Sequence, residues 1–402
     1  MATSLTPKAA QSRLLLLTVV LFVSYLCVAI PIPILSVYVT AQLGLGNVWA
    51  GLAVGSAFVS TIATRGHAGN LADGKGAKVA VTRGLAIYAA GALVTLGAGI
   101  RYDAATSAYL IMLIGRLLIG LGESLVGVGI VAWGIEIVGP AQSGKVMALV
   151  GAAVYGAYAV GAPIGLALFE RLGFVMTMAI SALLPCLGLL AIWSLPGIAP
   201  PPHTDRPSFF SVIGQIRWYG LIVCLQGIGF AALEAFFVLY FLEQHWSYAA
   251  FGFTTFGVGF VLMRMLFGHL PDRLGGLAVA IGSLAMEAIG QFLIWGAYDP
   301  MLALVGAFLT GLGCSMIFPA MGREVVHLIP SHLRGAALGG FIAFQDLAYG
   351  LTGPLAGLIA DRAGYGSTFL VGAIAAVAGF LMALYLRQIR SGHPRTQSGQ
   401  SG

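Results

Sequence analysis

Four ionisable side chains stand inside long apolar stretches of this sequence: Arg116, Glu123, Glu234 and Asp346. A carboxyl group in such a place can take up and release a proton, and a guanidinium group can bind an anion. Both are costly in apolar surroundings, since an arginine at the centre of a membrane helix costs about 2.5–3.5 kcal/mol on insertion scales. Such residues need an interior partner or a watery cavity, and they indicate proton exchange or binding of a charged solute.

Arg116 and Glu123 are seven residues apart, which places them two helical turns apart on nearly the same face. One interpretation is that Arg116 supports proton exchange or binds an anionic group of a substrate, with Glu123 as the protonation site. The other interpretation is a fixed structural ion pair. The spacing leaves both open, because the direct reach between the two side chains is marginal and a water or a substrate could bridge them.

Two other apolar stretches contain polar or helix-bending residues. Glu287 has Gln291 four residues later, so we expect a hydrogen bond between them and a neutral, structural role for Glu287. Pro31 and Pro33 free backbone carbonyls and bend the first apolar stretch. Tyr25, in the same stretch, is a candidate for lining a cavity, with packing or interfacial anchoring as the alternative.

The composition requires lipid as the solvent for most of the chain. Hydrophobic residues make up 59% of the 402 residues, charged residues make up 8%, and the mean hydropathy is +0.94. A soluble domain carries about 25% charged residues, so a single aqueous core is excluded. The net charge of +6 is scattered over helix ends instead of one face, so we expect no nucleic-acid partner.

No pattern of an enzyme, metal or cofactor site is present in the sequence. The four cysteines lie in apolar stretches without the spacing of metal ligands, which favours free buried thiols. There is no H-E-x-x-H, no P-loop and no G-x-S-x-G in a suitable setting. We therefore expect no enzymatic activity, no metal and no cofactor.

Twelve apolar segments are long enough to cross a bilayer as helices, which takes about 20 residues each. Barrel strands would be about ten residues long with alternating polarity, so the predicted fold class is an all-α membrane protein. We expect twelve transmembrane helices in two pseudo-symmetric six-helix bundles. The predicted spans are residues 14–39, 48–64, 79–100, 108–131, 146–169, 175–195, 218–241, 249–267, 277–297, 301–321, 336–359 and 368–386.

Polar, proline-rich residues divide the chain. The predicted domains are an N-terminal bundle over 1–195, a cytoplasmic linker over 196–217, a C-terminal bundle over 218–387 and a disordered tail over 388–402. With a cytoplasmic N-terminus, 16 of the 20 Lys and Arg lie on or beside the cytoplasmic face, and only Arg101, Arg171 and Arg362 lie outside. This asymmetry predicts that both termini are cytoplasmic.

The two halves repeat one another. Arg65, Gly69 and Asp73 in "RGHAGNLADGKGAK" recur 199 residues later as Arg264, Gly268 and Asp272 in "RMLFGHLPDRLGG". At an offset of 191, "GRLLIGLGES" faces "GAFLTGLGCS", and "YAVGAPIGLALFERLGF" faces "YGLTGPLAGLIADRAGY". The counterparts of Arg116 and Glu123 are Ala307 and Cys314, so a structural need shared by both halves does not explain that pair. Two six-helix copies in the same orientation are an arrangement used by secondary transporters.

On these residues the chain resembles the major facilitator superfamily over essentially its full length. "GNLADGKGAK" and "GHLPDRLGG" resemble the two copies of that family's loop signature, and "RLLIGLGES" resembles its fourth-helix motif. "GAPIG" and "TGPLAG" resemble the Gly-Pro motif of the fifth helix, which is associated with efflux antiporters. The run "SYLCVAIPIPILSVYV" further resembles the YhhS-like subgroup.

The resemblance implies roles for several groups of residues. Glu234 in the seventh span would face a central cavity, and Asp346 in the eleventh span could act there or brace packing. The loop signature implies a latch between the halves when the cavity faces outward, with solvated loop charges as the alternative; its residues are Gly69, Asp73, Gly76, Lys78, Glu136, Gly268, Asp272, Arg273 and Glu324. The Gly-Pro segments imply a hinge or packing surface formed by Gly161, Pro163, Gly165, Gly353, Pro354 and Gly357.

The sequence thus predicts a monomeric, proton-coupled secondary transporter in the bacterial inner membrane, exporting small organic solutes by alternating access. The expected partners are a small-molecule substrate, protons and the lipid bilayer. Proton-coupled uptake of a sugar or an organic acid is the alternative within transport. A non-transporting receptor or sensor on the same fold is the alternative from another class.

Overall fold

The computed structural model describes residues 6–100, 104–139, 142–197, 210–330 and 334–392, and regular structure within these residues is helical. The all-α prediction is therefore confirmed for this part of the chain. The first half contains α1 (Pro7–Ala29), α2 (Ile32–Val37), α3 (Asn47–Lys75), α4 (Ala77–Ile100), α5 (Ala105–Val138) and α6 (Ser143–Trp193). The second half contains α7 (Phe210–Glu243), α8 (Gly252–Phe267), α9 (Leu270–Leu274), α10 (Gly276–Trp295), α11 (Pro300–Leu328), α12 (Arg334–Ala363) and α13 (Gly366–Gly392).

The helices account for the twelve predicted passes. Within the described residues, ten helical segments are long and apolar enough to cross a membrane. One of them, α6, spans 51 residues and contains both the fifth and the sixth predicted spans, joined at the non-helical Gly173. The eleventh predicted span corresponds to α12, which is not among the ten. The first span is divided into α1 and α2 at Pro31, as the proline pair predicted.

Some helix boundaries differ from those predicted from hydropathy. The helix α7 begins at Phe210, so residues 210–217 of the predicted linker are helical. The helix α13 continues to Gly392, so residues 388–392 of the predicted tail are helical as well. Hydropathy locates the apolar part of a helix and does not register polar turns that extend beyond it. Linker residues 198–209 and tail residues 393–402 lie outside the described part.

The repeat seen in the sequence is present in the backbone. Gly76 and Gly275, which are 199 residues apart, end their helices with φ of 98° and 84°. Gly173 and Gly364, which are 191 residues apart, have φ of 74° and 77°. Positive φ strains other L-residues, so glycine is needed at each of these turns. The two halves therefore share local conformations at the offsets that the sequence repeat gave.

The halves meet along two close helix contacts, α3 with α12 and α6 with α8. A Cβ on Gly51 would lie 2.0 Å from the carbonyl oxygen of Gly353, so these backbones touch. A Cβ on Gly257 would lie 2.5 Å from the Cβ of Ala159. Small residues permit such approach between membrane helices. We call the face where α1 begins and α13 ends the terminal face, and the opposite one the distal face.

The cysteines are free thiols, as expected, but they are not all buried. Cys27 and Cys314 are buried, Cys224 is half-buried and Cys186 is exposed on the surface of α6. Among the described residues, no group of three or more His, Cys, Asp or Glu is placed to hold a metal ion.

Candidate functional site

A cavity of about 540 Å³ lies between the two halves. At the terminal face it is lined by Ser143 and Gly144 at the start of α6 and by His327 at the end of α11. Its wall combines a majority of apolar side chains with a few charges. The Phe and Tyr residues of the lining are Tyr25, Phe58, Tyr155, Tyr158, Phe230, Phe260, Phe318 and Tyr349, and the charged ones are Arg65, Glu123, Arg264, Arg323 and Asp346.

The distal face is closed by contacts between α3 and α12. The Asn47 amide donates a hydrogen bond of 2.8 Å to Asp361 and accepts one of 2.8 Å from the Tyr365 hydroxyl. The backbones also touch near Gly357, where a Cβ would lie 2.5 Å from the carbonyl oxygen of Asn47. The structure is therefore open toward the terminal face and closed at the distal one.

Two carboxyl groups from different halves each accept a tyrosine hydroxyl. Glu123 and both tyrosines line the cavity, whereas Glu234, which was expected to face it, is buried and is not part of the lining. The Tyr25 hydroxyl donates to Glu123 Oε1 at 2.9 Å, and the Tyr158 hydroxyl donates to Glu234 Oε1 at 2.8 Å. The rings of Tyr25 and Tyr158 pack edge to face with centroids 5.7 Å apart. The second oxygen of each carboxyl group is buried without a hydrogen bond. The two tyrosines thus connect the carboxyl groups of α5 and α7 across the boundary between the halves.

An ion pair joins the halves on the cavity wall. Arg65 of α3 donates to Asp346 of α12 at 2.5 Å, and both side chains are largely buried. Asp346 therefore has a basic partner in the other half. Because the partners are 281 residues apart, the sequence did not indicate this pair.

Arg116 is fully inside the protein, with 2% of its surface exposed. Its guanidinium donates two hydrogen bonds of 3.0 Å to the carbonyl oxygens of Ala53 and Val54 in α3. It is not part of the cavity lining, and among the described residues its hydrogen-bond partners are carbonyl oxygens. Glu234 and Glu123 still act on its charge electrostatically. The predicted interior partner thus exists, but it is the backbone of a neighbouring helix.

The residues of the loop signature contact partners within their own half. Asp272 pairs with Arg323 at 3.4 Å. Glu324 accepts a hydrogen bond of 2.8 Å from the backbone amide of Gly276 and pairs with Arg390. Arg273, the basic residue of the second loop signature, is exposed. Arg273 lies in the short helix α9, whereas Arg323 directly precedes Glu324 in α11 and Arg390 lies on α13.

The first copy of the signature is arranged differently. Lys78 donates to the carbonyl oxygens of Trp193 and Leu195 at the end of α6, at 3.1 and 2.5 Å, instead of pairing with Glu136. Glu136 has a buried carboxylate oxygen without a hydrogen bond. Asp73 acts on it electrostatically. In the first copy Gly69 is buried within α3, and in the second copy Gly268 directly follows α8. A latch between the halves remains a prediction, since the cavity is open at this face.

The Gly-Pro segments lie at tight helix contacts. A Cβ on Gly165 would lie 2.0 Å from the carbonyl oxygen of Ile30, and one on Gly161 would lie 2.8 Å from the Cβ of Ala29. In the second half, Gly353 and Gly357 face α3, as described above. Pro163 and Pro354 stand inside continuous helices. The contacts fit the packing part of the prediction and leave the hinge part a prediction.

Glu287 is buried in the second half, beside Gln226 and Cys314. The predicted hydrogen bond to Gln291 is not formed, since the Gln291 amide donates a hydrogen bond of 3.2 Å to the carbonyl oxygen of Gly229. Helical spacing places Glu287 and Gln291 on one face of α10, but the Gln291 amide donates to a backbone carbonyl of the neighbouring α7. Gln226 donates to the Cys314 sulfur at 3.2 Å, and both Glu287 oxygens lack a hydrogen bond of ordinary geometry.

Three cavity residues were missed or undervalued in the sequence. Tyr158 appeared there only as a matched position of the repeat, and Arg65 and Arg264 were counted as charges at helix ends. In the structure all three line the cavity. The recurrence of the two arginines at one offset was the signal that could have identified them.

Comparisons with known proteins agree with this architecture. The family model described as Major Facilitator Superfamily matches residues 17–254 and again residues 219–402. An uncharacterized MFS-type transporter of Salmonella typhimurium is 41% identical over 386 residues, covering 96% of this chain and 99% of the relative. One from Burkholderia pseudomallei (strain 1106a) is 39% identical over 373 residues, covering 92% of this chain and 91% of the relative.

Solved structures share the fold at low sequence identity. A D-xylose-proton symporter superimposes with a TM-score of 0.79 at 16% identity, covering 97% of this chain and 99% of the symporter. A nucleoside transporter superimposes with a TM-score of 0.76 at 15% identity, covering 93% of this chain and 99% of that protein. The predicted fold is confirmed, and the YhhS-like subgroup stays a prediction. The family consists of transporters and not of enzymes, so the expectation of no enzymatic activity is confirmed as well. With its two matched halves and its central cavity, the chain belongs to the Major Facilitator Superfamily and is a multi-pass membrane transporter.

Proposed function

We propose that the chain is a proton-coupled secondary transporter that exports small organic solutes by alternating access. The observation that carries the proposal is the cavity between the halves, which is lined by Glu123, Tyr25 and Tyr158, with Glu234 buried behind the lining and bonded to Tyr158 across the boundary. A carboxyl group held by one hydroxyl, with its other oxygen buried and unbonded, is suited to hold a proton in one state and lose it in another.

In this proposal the halves rock about the cavity, so that each face is opened in turn. The closed distal contacts around Asn47 and Gly51 open when the terminal face closes. Protons that enter from the distal side reach Glu123 and Glu234, and their release at the terminal side drives solute outward. Arg116 is held by carbonyls of α3 close enough to act on both carboxyl groups electrostatically.

The terminal face is the cytoplasmic one in this proposal, and the membrane is the inner membrane of a bacterium. Support comes from the excess of Lys and Arg near that face and from the bacterial sources of the relatives. The protein acts as a monomer, since each half already contributes carboxyl groups to one cavity. Export as the direction rests on the likeness of the α6 and α12 Gly-Pro segments to efflux motifs.

The test compares solute fluxes in vesicles of known orientation. Solutes that accumulate in cells lacking the gene are identified first and then loaded into proteoliposomes containing the purified protein. An imposed pH gradient, acidic on the distal side, is expected to drive the solute toward that side. Movement in the same direction as the protons would support the uptake alternative, and fluxes that do not respond to the gradient would contradict proton coupling.

A further inference from the structure

Arg65 and Arg264 occupy equivalent places in the two halves and both line the cavity, yet their charges are treated differently. Arg65 is neutralised by Asp346 at 2.5 Å. Within the described part of the chain, Arg264 has no carboxylate within ion-pair distance, and it contacts a carbonyl oxygen and an aromatic ring instead. The cavity wall therefore carries one arginine whose charge is not balanced by an ion pair.

The Arg264 side chain is held in a fixed position. Its Nη2 donates a hydrogen bond of 2.6 Å to the carbonyl oxygen of Ser315, and its guanidinium lies 5.3 Å from the centre of the Phe260 ring. Phe260 in turn stacks on Tyr155 at 3.6 Å. Its Nε is buried and has no hydrogen-bond partner. The cation is thus fixed in place with one of its N–H donors unsatisfied.

The other charged groups of the cavity do not neutralise Arg264. Asp346 is bound to Arg65, and Glu123 accepts the hydroxyl of Tyr25 near the inner end. Arg323 pairs with Asp272 and Glu324, so it does not add an unbalanced charge beside Arg264. Most of the remaining lining is apolar or aromatic, with Phe230 and Phe318 among its residues, and Phe260 lies beside the guanidinium. Of the three arginines that line the described cavity, Arg264 is therefore the one without an ion pair, and it lies above an aromatic ring.

We propose that Arg264 is the residue that binds the negative group of the substrate, and that the substrate is a small organic anion with an apolar or aromatic body. A planar guanidinium matches the geometry of a carboxylate or a phosphate group, which can accept two of its N–H donors. The body of the substrate packs against Phe260, Tyr155 and Phe230. The inference rests on the proposed transport function, since it assigns the solute class of the same cavity.

A native cysteine of the chain can report on the charge of Arg264. Cys314 lines the cavity and is the residue before Ser315, whose carbonyl holds Arg264. In a variant with Cys27, Cys186 and Cys224 replaced by serine, Cys314 can be modified by an anionic methanethiosulfonate, which carries a sulfonatoethyl group, or by a cationic one, which carries a trimethylammonium-ethyl group. An uncompensated arginine attracts the anionic reagent and repels the cationic one. We expect the anionic reagent to react faster.

Two substitutions separate charge from geometry. Arg264→Gln is expected to lower the ratio of anionic to cationic labelling rates roughly tenfold, whereas Arg264→Lys keeps the charge and the ratio. Arg217→Gln, at an exposed position on α7, is the matched control and leaves the ratio unchanged. Because Cys314 is buried to a large extent, the measurement is repeated with Val154→Cys, on the α6 wall of the cavity, in a cysteine-free chain.

Binding is then tested directly with three probes of similar size. Benzoate and phenyl phosphate at millimolar concentration are expected to protect the reporter cysteine from the neutral reagent methyl methanethiosulfonate, and benzamide is not. Protection is lost in Arg264→Gln and weakened in Arg264→Lys, which lacks the two-pronged geometry. Protection by phenyl phosphate alone would identify phosphate esters, and protection by benzoate alone would identify carboxylates.

Faster labelling by the cationic reagent, an unchanged ratio in Arg264→Gln at both reporters, or equal protection by benzamide would each overturn the anion assignment. None of these measurements requires transport or a pH gradient. A protein that shows the anionic preference but no gradient-driven flux would retain the binding site and lose the proposed proton coupling. The reverse result would retain proton-coupled transport and exclude an anionic substrate.

Discussion

At the scale of single residues, two buried carboxyl groups near the boundary between the halves are each held by one hydrogen-bond partner. Glu123 and Glu234 each accept one tyrosine hydroxyl and leave one oxygen unbonded. Protonation changes the hydrogen bonding of a carboxyl group that has one unbonded oxygen, because the protonated group can donate a hydrogen bond as well as accept one. This makes the two tyrosine–carboxyl pairs the first places at which proton coupling should be tested.

Glu123→Gln keeps the size of the side chain and its hydrogen bond with Tyr25 but removes the exchangeable proton. We expect flux driven by a pH gradient to fall at least roughly tenfold, while exchange of solute between the two sides without a gradient persists. Glu170→Gln, at an exposed carboxylate on α6, is the control and leaves both fluxes unchanged. Gradient-driven flux at the original level in Glu123→Gln would exclude Glu123 from the coupling mechanism.

Asp346→Asn leaves Arg65 in the cavity wall without its counter-charge. Removing one partner of a buried ion pair costs about 3–5 kcal/mol, so the thermal midpoint of the purified protein in detergent should fall clearly. The double variant Arg65→Gln with Asp346→Asn should recover much of that loss, because no buried charge remains unpaired. Additive losses in the double variant would show that the two side chains do not stabilise one another.

At the scale of helices, close backbone contact between α3 and α12 keeps the distal face shut. The contact exists because Gly51 and Gly353 lack side chains; a Cβ on Gly353 would lie 2.3 Å from the carbonyl oxygen of Gly51. The same two helices carry Arg65 and Asp346 nearer the terminal face. One helix pair therefore contributes both the distal closure and an ion pair of the cavity wall.

Gly353→Val is expected to push α3 and α12 apart at the distal end and to favour a state that is open there. Double electron–electron resonance between spin labels on Trp49→Cys and Leu358→Cys, two exposed positions, should show a longer distance than in the protein with Gly353. Gly339→Val tests the same helix at a place with no atom within 4 Å of the added Cβ. An unchanged distance distribution in Gly353→Val would show that this contact does not control the distal opening.

Periodicity and repetition in the sequence were enough to predict the helices and their order. Gly76 and Gly275, which are related by the 199-residue offset of the repeat, have similar backbone conformations. The partners of the charges could not be predicted in this way, because they depend on helix rotation and on contacts between the halves. Arg116 illustrates the limit: its expected place inside the protein is correct, but its partners are carbonyl oxygens of Ala53 and Val54, which no side-chain pattern records.

At the scale of the whole molecule, the distribution of Lys and Arg predicts the orientation in the membrane. We expect Tyr298→Cys, in the highly exposed turn between α10 and α11, to react in intact cells with a membrane-impermeant maleimide. Lys8→Cys, exposed at the start of α1, should react only after the membrane is made permeable. Both variants are made in a chain without the native cysteines, and the opposite labelling pattern would invert the proposed topology.

The equal turns at Gly76 and Gly275, and again at Gly173 and Gly364, have a consequence for the origin of the molecule. A chain of half this length would already contain every kink and every turn that one bundle requires, and two such chains could have met along the surfaces that α3 and α12 now share. Fusion of two gene copies would then have freed each copy to diverge. Such divergence accounts for the difference between the two cavity arginines: Arg65 pairs with Asp346, and Arg264 remains available to bind the proposed substrate anion.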